Sequence, residues 1–292
     1  MSEQPQVMLG MNMPDTAQWS DRVHVALGQN PSAFTGPGTN TYLVGTGSHR
    51  ILLDTGSGLK AYLPVLERAM EQAGCDGLQE IVLTHGHPDH IGGVAQVRER
   101  FGPLEVKKMA WPGNDENYAR DLSEIGDGAV VRTEGATLRA LHTPGHARDH
   151  LCFMLEEEQA LFSGDNVLGV GTTVIPSQGG DLLQYMDSLQ RALEEAPRRI
   201  YPAHGPCIED GPGKLREYIS HREERERQIL QALDQGARTV SEVVKIVYAA
   251  YPSSLHAAAG QSVTSHLLKL ERESVVRREA EAEALLARWR RV

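Results

Sequence analysis

THGHPDHIGG, residues Thr84 to Gly93, decides how this chain is read. It sets His85, His87, Asp89 and His90 within six residues, directly after EIVLT (Glu80 to Thr84), a short apolar run suited to a strand buried on both faces. A tight turn after such a strand can point His85 and His87 to one side and Asp89 and His90 to the other. One loop can then feed two adjacent metal ions. Imidazole with carboxylate is the ligand set expected of zinc and related borderline ions.

Three further segments repeat the same local setting, a strand end with small residues beside a ligand type. LHTPGHARDH presents His146, LFSGD presents Asp165 and IYPAHG presents His204. Gly145, Gly164 and Gly205 let the backbone approach closely there. Four strand ends converging on one sheet edge would build one site. Seven candidate ligands are too many for one tetrahedral ion, so two divalent metal ions per chain are expected, zinc or a zinc-substitutable ion. A purely structural zinc is disfavoured, because Cys75, Cys152 and Cys207 lack the spacing of a Cys-rich tetrad. They fit reduced thiols better than a disulfide framework. His24, His49, His142, His221, His256 and His266 stand alone and read as structural or surface residues.

Working outward, the first half alternates strand and helix. Strands are expected over Arg22–Gly28, Asn40–Gly45 and Arg50–Gly56, each bounded by turn residues. Leu59–Gly74 has helical apolar spacing and a terminal Gly, with Pro64 in its first turn. IGGVAQVRERFG (Ile91 to Gly102) reads as a helix, and Trp111–Asp127 as loop. Strands follow over Thr137–Thr143, His150–Glu156 and Ala160–Asp165. Then come a helix over Asp181–Ala196 capped by Asp181, a strand over Arg199–Gly205 and a long helix over Gly211–Leu233.

The remainder differs. Thr239–Tyr251 and Ser262–Val276 read as two amphipathic helices turning into a strand or wing, a pattern that resembles a small winged-helix-like appendage. The expected division is a catalytic domain over 1–213 and a helical, winged-helix-like segment over 214–292. Charge divides similarly. Of the formal net charge of −10, Lys214 to Val292 holds 14 basic and 11 acidic residues, net +3, which leaves −13 for the rest. An acidic body does not steer toward nucleic acid. The apolar stripes of the segment need cover, from the body or from a second copy in a homodimer. No apolar run approaches the ~18 residues of a membrane span. Met1 to Trp19 lacks the layout of a secretory signal or a mitochondrial presequence, so a cytoplasmic location is expected.

THGHPDH, TPGH, SGD and PAHG, in that order, resemble the metallo-β-lactamase fold superfamily over about Arg22 to Gly205. The resemblance implies an α/β fold, a four-layer αβ/βα sandwich with the metals at one edge of two central sheets. It implies that His85, His87 and His146 bind one metal, that Asp89, His90 and His204 bind the other, and that Asp165 bridges them. GTNTYLVGTG (Gly38 to Gly47), TEGATLRALHTPGH (Thr133 to His146), FSGDNVLGVGTTV (Phe162 to Val174), YPAHGPCI (Tyr201 to Ile208) and YISHREERERQIL (Tyr218 to Leu230) look like the lactamase-β-like protein 2 group. That group implies endoribonuclease cleavage of single-stranded RNA. The same motifs are shared with fungal polyketide-releasing thioesterases. Two departures from the animal proteins bear on function: Gly86 stands where a bulky Trp is common, which implies a wider site mouth, and Ile175–Asp181 is a longer Gly-rich loop.

Two dications can share a water and lower its pKa toward neutrality, giving a bridging hydroxide as nucleophile. Asp89 is typed to ligate a metal and to orient or deprotonate that water, and is the expected catalytic residue. Asp54, ending RILLDTG, is a candidate to hold a ligand His in its tautomer or simply to cap a turn. Asn40 is a candidate to face the substrate. The leading expectation is endoribonuclease-like cleavage of single-stranded RNA. The alternative is hydrolysis of an acyl thioester, ester or lactone, glyoxalase-II-like or polyketide-releasing. A metal-stabilised, non-enzymatic scaffold ranks below both. Antibiotic hydrolysis is disfavoured, since Asp165 replaces the Cys common in secreted lactamases. Diiron chemistry is disfavoured because those relatives carry Glu where this chain has His87.

Overall fold

The apolar runs pair into two sheets. The computed structural model describes residues 11–119, 121–250, 252–279 and 283–292. The first sheet runs in chain order: β1 (Thr16–Ser20), β2 (Val23–Leu27), β3 (Asn40–Val44), β4 (His49–Leu53), β5 (Gly77–Val82), β6 (Val106–Lys108) and β7 (Ser123–Glu124). Neighbours are antiparallel as far as β4 and parallel from β4 onward. Parallel neighbours need a crossover connection. Between β4 and β5 it is α1 (Tyr62–Ala73); between β5 and β6 it is α2 (Pro88–Ile91) and α3 (Val94–Phe101). Tyr62, Val65, Leu66, Ala69 and Met70 of α1 are buried at the spacing of one helical face. The helix stops at Gly74 in the left-handed region (φ 62°).

The second sheet has the order β12-β11-β10-β9-β8. Its strands are β8 (Val130–Thr133), β9 (Ala136–His142), β10 (Leu151–Leu155), β11 (Ala160–Gly164) and β12 (Arg199–Pro202). The one parallel pair, β11 with β12, is joined through α4 (Leu182–Glu194). Asp181 caps α4 by accepting from the Gln184 amide at 3.1 Å, worth about 1 kcal/mol. Three apolar layers separate the elements. One lies between α1, α3 and the first sheet; one, with Tyr42, Phe153, Phe162 and Tyr201, lies between the sheets; one lies between the second sheet, α4 and α5 (Gly211–Asp234). This is the four-layer αβ/βα sandwich. Because both faces of the central strands are covered, β2, β3, β10 and β11 are buried at every position.

The C-terminal part is a winged-helix unit. It comprises α6 (Val240–Val247), α7 (His256–Arg272) and a hairpin of β13 (Val276–Arg278) with β14 (Trp289–Arg291). Thr239 and Glu242 form a capping box at the start of α6. The boundary expected between residues 213 and 214 falls in the first turn of α5. That helix serves both parts: Leu215 and Tyr218 enter the core beside the second sheet, whereas Ile229, Ala232 and Leu233 enter the core of the C-terminal unit. The stripes of α6 and α7 are covered by Trp289, Val276 and the end of α5 within one chain, so they give no reason to expect a homodimer.

The expected strands and helices form, most with ends shifted by a few residues; the last helix starts at His256, six residues before the expected Ser262, and stops at Arg272, with Val276 already in β13. The helix expected from Ile91 is broken at Gly92 and Gly93 into α2 and α3. Within the stretch read as loop lie a 3-10 turn at Asp115–Asn117 and β7. Residues 1–10 of the stretch read for targeting, and Tyr251 of a helix reading, lie outside the described residues. Among those described, no helix is long and apolar enough to cross a membrane. All three cysteines are free thiols.

Candidate metal centre

Five strands deliver the site from their C-terminal ends. β5 leads to His85, His87, Asp89 and His90, β9 to His146, β11 to Asp165, β12 to His204 and β4 to Asp54. The edges of the two sheets are tied together there. The Leu151 amide donates to the Thr84 carbonyl at 2.8 Å, and Asn40 N–H donates to the Ala203 carbonyl at 2.7 Å. Gly164 closes β11 with φ 49°, and a Cβ there would lie 2.6 Å from His150 Nε2. A larger residue would push Asp165 out of place.

The seven side chains gather into two groups sharing one member. His85, His87, His146 and Asp165 offer ligand atoms all within 4.8 Å of one another, and so do Asp89, His90, Asp165 and His204. Within the first group His87 Nδ1 lies 3.0 Å from both His85 Nε2 and His146 Nε2. Within the second His204 Nε2 lies 3.1 Å from Asp165 Oδ1 and 3.4 Å from Asp89 Oδ2.

The outer nitrogens show which atoms are free to ligate. His90 Nδ1–H donates to Asp54 Oδ2 at 2.8 Å, and His146 Nδ1–H donates to the Val174 carbonyl at 2.9 Å. His204 Nδ1 faces the Gly38 carbonyl at 3.3 Å. Thr84 Oγ1 donates to Asp54 Oδ2 at 2.9 Å and thereby accepts from His85 Nδ1 at 3.0 Å. Each of these acceptors holds the ring proton on Nδ1, so Nε2 is the atom each ring turns inward to ligate. His90 Nε2 is buried without a hydrogen-bond partner among the described residues. Converging lone pairs and carboxylates repel one another unless a cation sits among them. The residues therefore fit divalent metal ions of the zinc type in both groups.

The protonation tendencies of the site groups, with no cation among them, point the same way. Burial drives His85 well below the ordinary histidine range, with the neighbouring imidazoles adding to the effect, and drives His87 down to about 4. Burial also opposes charge on His90 and His204, yet Asp89, Asp165 and Asp54 hold His90 well above its usual value, and Asp165 with Asp89 lifts His204 to about 9. Both Asp89 and Asp165 stay far below the usual carboxylate range despite burial, because of His90 and His204. Protons take the place of a cation there.

Asp54 combines the two roles weighed for it. It sits at φ 61° and accepts from the Thr84 amide at 2.8 Å, a turn function, while its other oxygen takes His90 Nδ1–H. Asn40 does not face substrate. It is fully buried, and its Nδ2 donates to the carbonyls of Pro202 and Gly205, 2.8 Å each, holding the loop that carries His204. Gly86 does not open the mouth either. A Cβ there would meet Asn114 Nδ2 at 2.6 Å and Trp111 at 3.1 Å. The 111–115 turn fills the space, and the Trp111 ring lies 6.1 Å from the His87 ring.

The sequence reading missed His150. It is buried, its ring 5.0 Å from that of His85. The Asp165 amide donates to its Nε2 at 3.1 Å, which leaves its Nδ1–H for Thr143 Oγ1 at 2.8 Å. It positions Asp165 without belonging to either group. Its one signal was a spacing of four residues from His146. No thiol competes as nucleophile, since burial pushes Cys152 and Cys207 each up to about 12.

The family model described as the metallo-beta-lactamase superfamily matches residues 34–204, which take in every candidate ligand and all of both sheets except β1 and β2. The chain belongs to the metallo-β-lactamase superfamily. A second model, the beta-lactamase associated winged helix domain, matches residues 239–289. Among superfamily relatives, the chain is 43% identical over 242 residues to an atrochrysone carboxyl ACP thioesterase of Claviceps purpurea, covering 81% of this chain and 75% of that one. It is 40% identical over 285 residues to the lactamase-like protein adaB of Aspergillus niger, covering 92% and 86%. Two solved structures share the superfamily fold end to end. A metallo-beta-lactamase family protein from Thermus thermophilus aligns with a TM-score of 0.76 at 23% identity, covering 94% of this chain and 100% of that one. A beta-lactamase domain protein from Burkholderia ambifaria aligns with a TM-score of 0.80 at 18% identity, covering 95% and 93%.

Proposed function

We propose that this superfamily hydrolase cleaves acyl thioesters, with two divalent metal ions of the zinc type held by His85, His87 and His146, by Asp89, His90 and His204, and by Asp165 between them. The carrying observation is the apolar rim of the metal centre. Trp111 stands beside His87, Val174 is 53% exposed and its own carbonyl holds His146, and Phe34 is 78% exposed four residues before Gly38, whose carbonyl faces His204. Apolar side chains at a site mouth suit an acyl chain or ring system, not a phosphate backbone. The relatives named thioesterases agree with this. The ribonuclease expectation therefore gives way to its alternative. An acidic body already argued against a polyanion.

Metal ions of this type supply a Lewis acid and acidify water when bound. The chain's own groups do the rest. Water oxygen bonds to the thioester carbonyl carbon, the C–S bond breaks, and the thiolate leaves. The Asp89 side chain is 23% exposed against 11% for Asp165, so of the two ligand carboxylates it is better placed to accept the proton of attacking water. Asp54, Thr84, Asn40 and His150 hold the ligands in their tautomers and positions. Trp111 and Val174 exclude bulk water from one side of the acyl group. The test is a paired panel on metal-loaded protein: acyl-coenzyme A and acyl-carrier-protein thioesters against single-stranded RNA oligomers. Thiol release with intact RNA is expected. RNA cleavage with intact thioesters would overturn the reading.

A further inference from the structure

The winged-helix unit and α5 reach the metal centre through one stretch of backbone. Between β11 and α4 the chain passes from Asp165 to Asp181 without regular structure, and three consecutive carbonyls of this strap are taken in turn. Thr173 O accepts from Arg222 Nη2 on α5. Val174 O accepts from the ligand His146 at 2.9 Å. Ile175 O accepts from Ser265 Oγ on α7 at 2.9 Å. Thr173 also turns its hydroxyl back on the Asp165 carbonyl at 2.8 Å, and the Gly169 amide donates to the His204 carbonyl at 2.8 Å, so the strap touches three candidate ligands.

Several further fixings of the strap come from the same helices. Tyr218 on α5 accepts from the Leu168 amide at 3.0 Å and donates toward the Gly171 carbonyl at 3.2 Å. Ser177 donates to Gln261 of α7 at 2.5 Å, and Asp181 pairs with Arg272 at the end of α7. The Asp181 amide in turn donates to the Gly145 carbonyl at 2.8 Å, one residue before His146. Arg222 is buried, with its guanidinium 5.3 Å from the centroid of the Tyr185 ring, and Tyr185 donates to the Asn166 carbonyl at 2.7 Å. Val174 itself turns its side chain outward, so packing of that residue cannot place its carbonyl. Its position is set by the hydrogen bonds on either side of it.

We infer that α5 and the winged-helix unit are part of the scaffold of the metal centre, with Arg222 and Ser265 as positioning residues that fix His146 and Asp165 through the 173–175 carbonyls. This rests on the metal reading above. A histidine ligand whose outer N–H loses its aligned acceptor binds metal about 10- to 100-fold more weakly. The two helices thus act on metal affinity from outside the ligand set.

The experiment uses the full chain loaded with Co2+ or Zn2+, with release to a competing chelator and the visible Co2+ spectrum as readouts. Arg222→Met and Ser265→Ala are expected to speed release of metal about 10-fold or more and to alter the Co2+ bands. Arg222→Lys should restore part of the wild-type rate. Arg100→Ala, which breaks an exposed pair between α3 and Glu67 of α1, should change nothing. Melting of the metal-free proteins controls for folding, and Ser265→Ala, losing one hydroxyl, keeps the test alive if Arg222→Met unfolds. Wild-type release and spectra in folded Arg222→Met and Ser265→Ala would overturn this inference alone. A wild-type chain that takes up no metal would overturn the metal reading and this inference with it.

Discussion

Asp165 belongs to both ligand groups and His87 to one, so their loss should differ. His87→Ala is expected to release one of two metal ions and Asp165→Ala to weaken both, by more than the about 10- to 100-fold typical of a lost supporting hydrogen bond. Both residues sit beyond strand ends, so the metal-free fold should survive. Elemental analysis of the purified variants checks this, and equal stoichiometry in the two would contradict it. A pH effect follows from the same residues. His85 and His87 are bare at neutral pH, whereas His204, lifted to about 9, and His90 carry protons that metal must displace. Uptake at pH 7 should release protons from the Asp89, His90 and His204 group, and affinity should rise with pH up to about 9. Calorimetry in two buffers of different ionisation enthalpy measures the protons; none released would sink the prediction.

At the scale of elements, β6 carries a buried charge that holds the site mouth. Lys108 is fully buried and lies 2.5 Å from Asp149 and 2.9 Å from Asp115. Asp149 precedes His150, and Asp115 anchors the Trp111 amide at 2.6 Å. One cation thus joins the turn over Gly86 to the His146–His150 loop. Lys108→Met would leave two buried carboxylates uncompensated and is expected to cost about 3–5 kcal/mol. Urea unfolding of the metal-free chain measures it; a loss under about 1 kcal/mol would place the triad among weak surface pairs. Nothing in the residues VKK hints at a buried strand end, because ion pairing, and not apolarity, is what allows Lys108 inside.

For the molecule as a whole, charge makes the last prediction. With −13 outside the C-terminal segment, catalysis on an acyl thioester should be nearly unchanged between about 50 and 200 mM salt, whereas a binder making roughly six to ten phosphate contacts loses about 10³-fold or more. Initial rates across that range decide it. A steep fall in rate would return the polyanion reading. The winged-helix unit, for all its mild positive charge, buries its apolar stripes on its own core and lends hydrogen bonds to the strap.

All seven candidate ligands were legible in the chain because each follows an apolar run and needs a particular donor atom type, and both features are local. The same holds for α1 and α4, whose apolar spacing and end signals are complete within their own residues. What only the tertiary structure decided joins residues far apart in the chain. His150 behind Asp165, Asn40 under the His204 loop, Trp111 in the space beside Gly86 and Ser265 on the Ile175 carbonyl each depend on a partner tens of residues away or more, with the single exception of His150. Ligand type is a property of a side chain and can be read one residue at a time. The tautomer, orientation and burial of that ligand belong to whatever packs behind it, and only the folded chain brings those groups together.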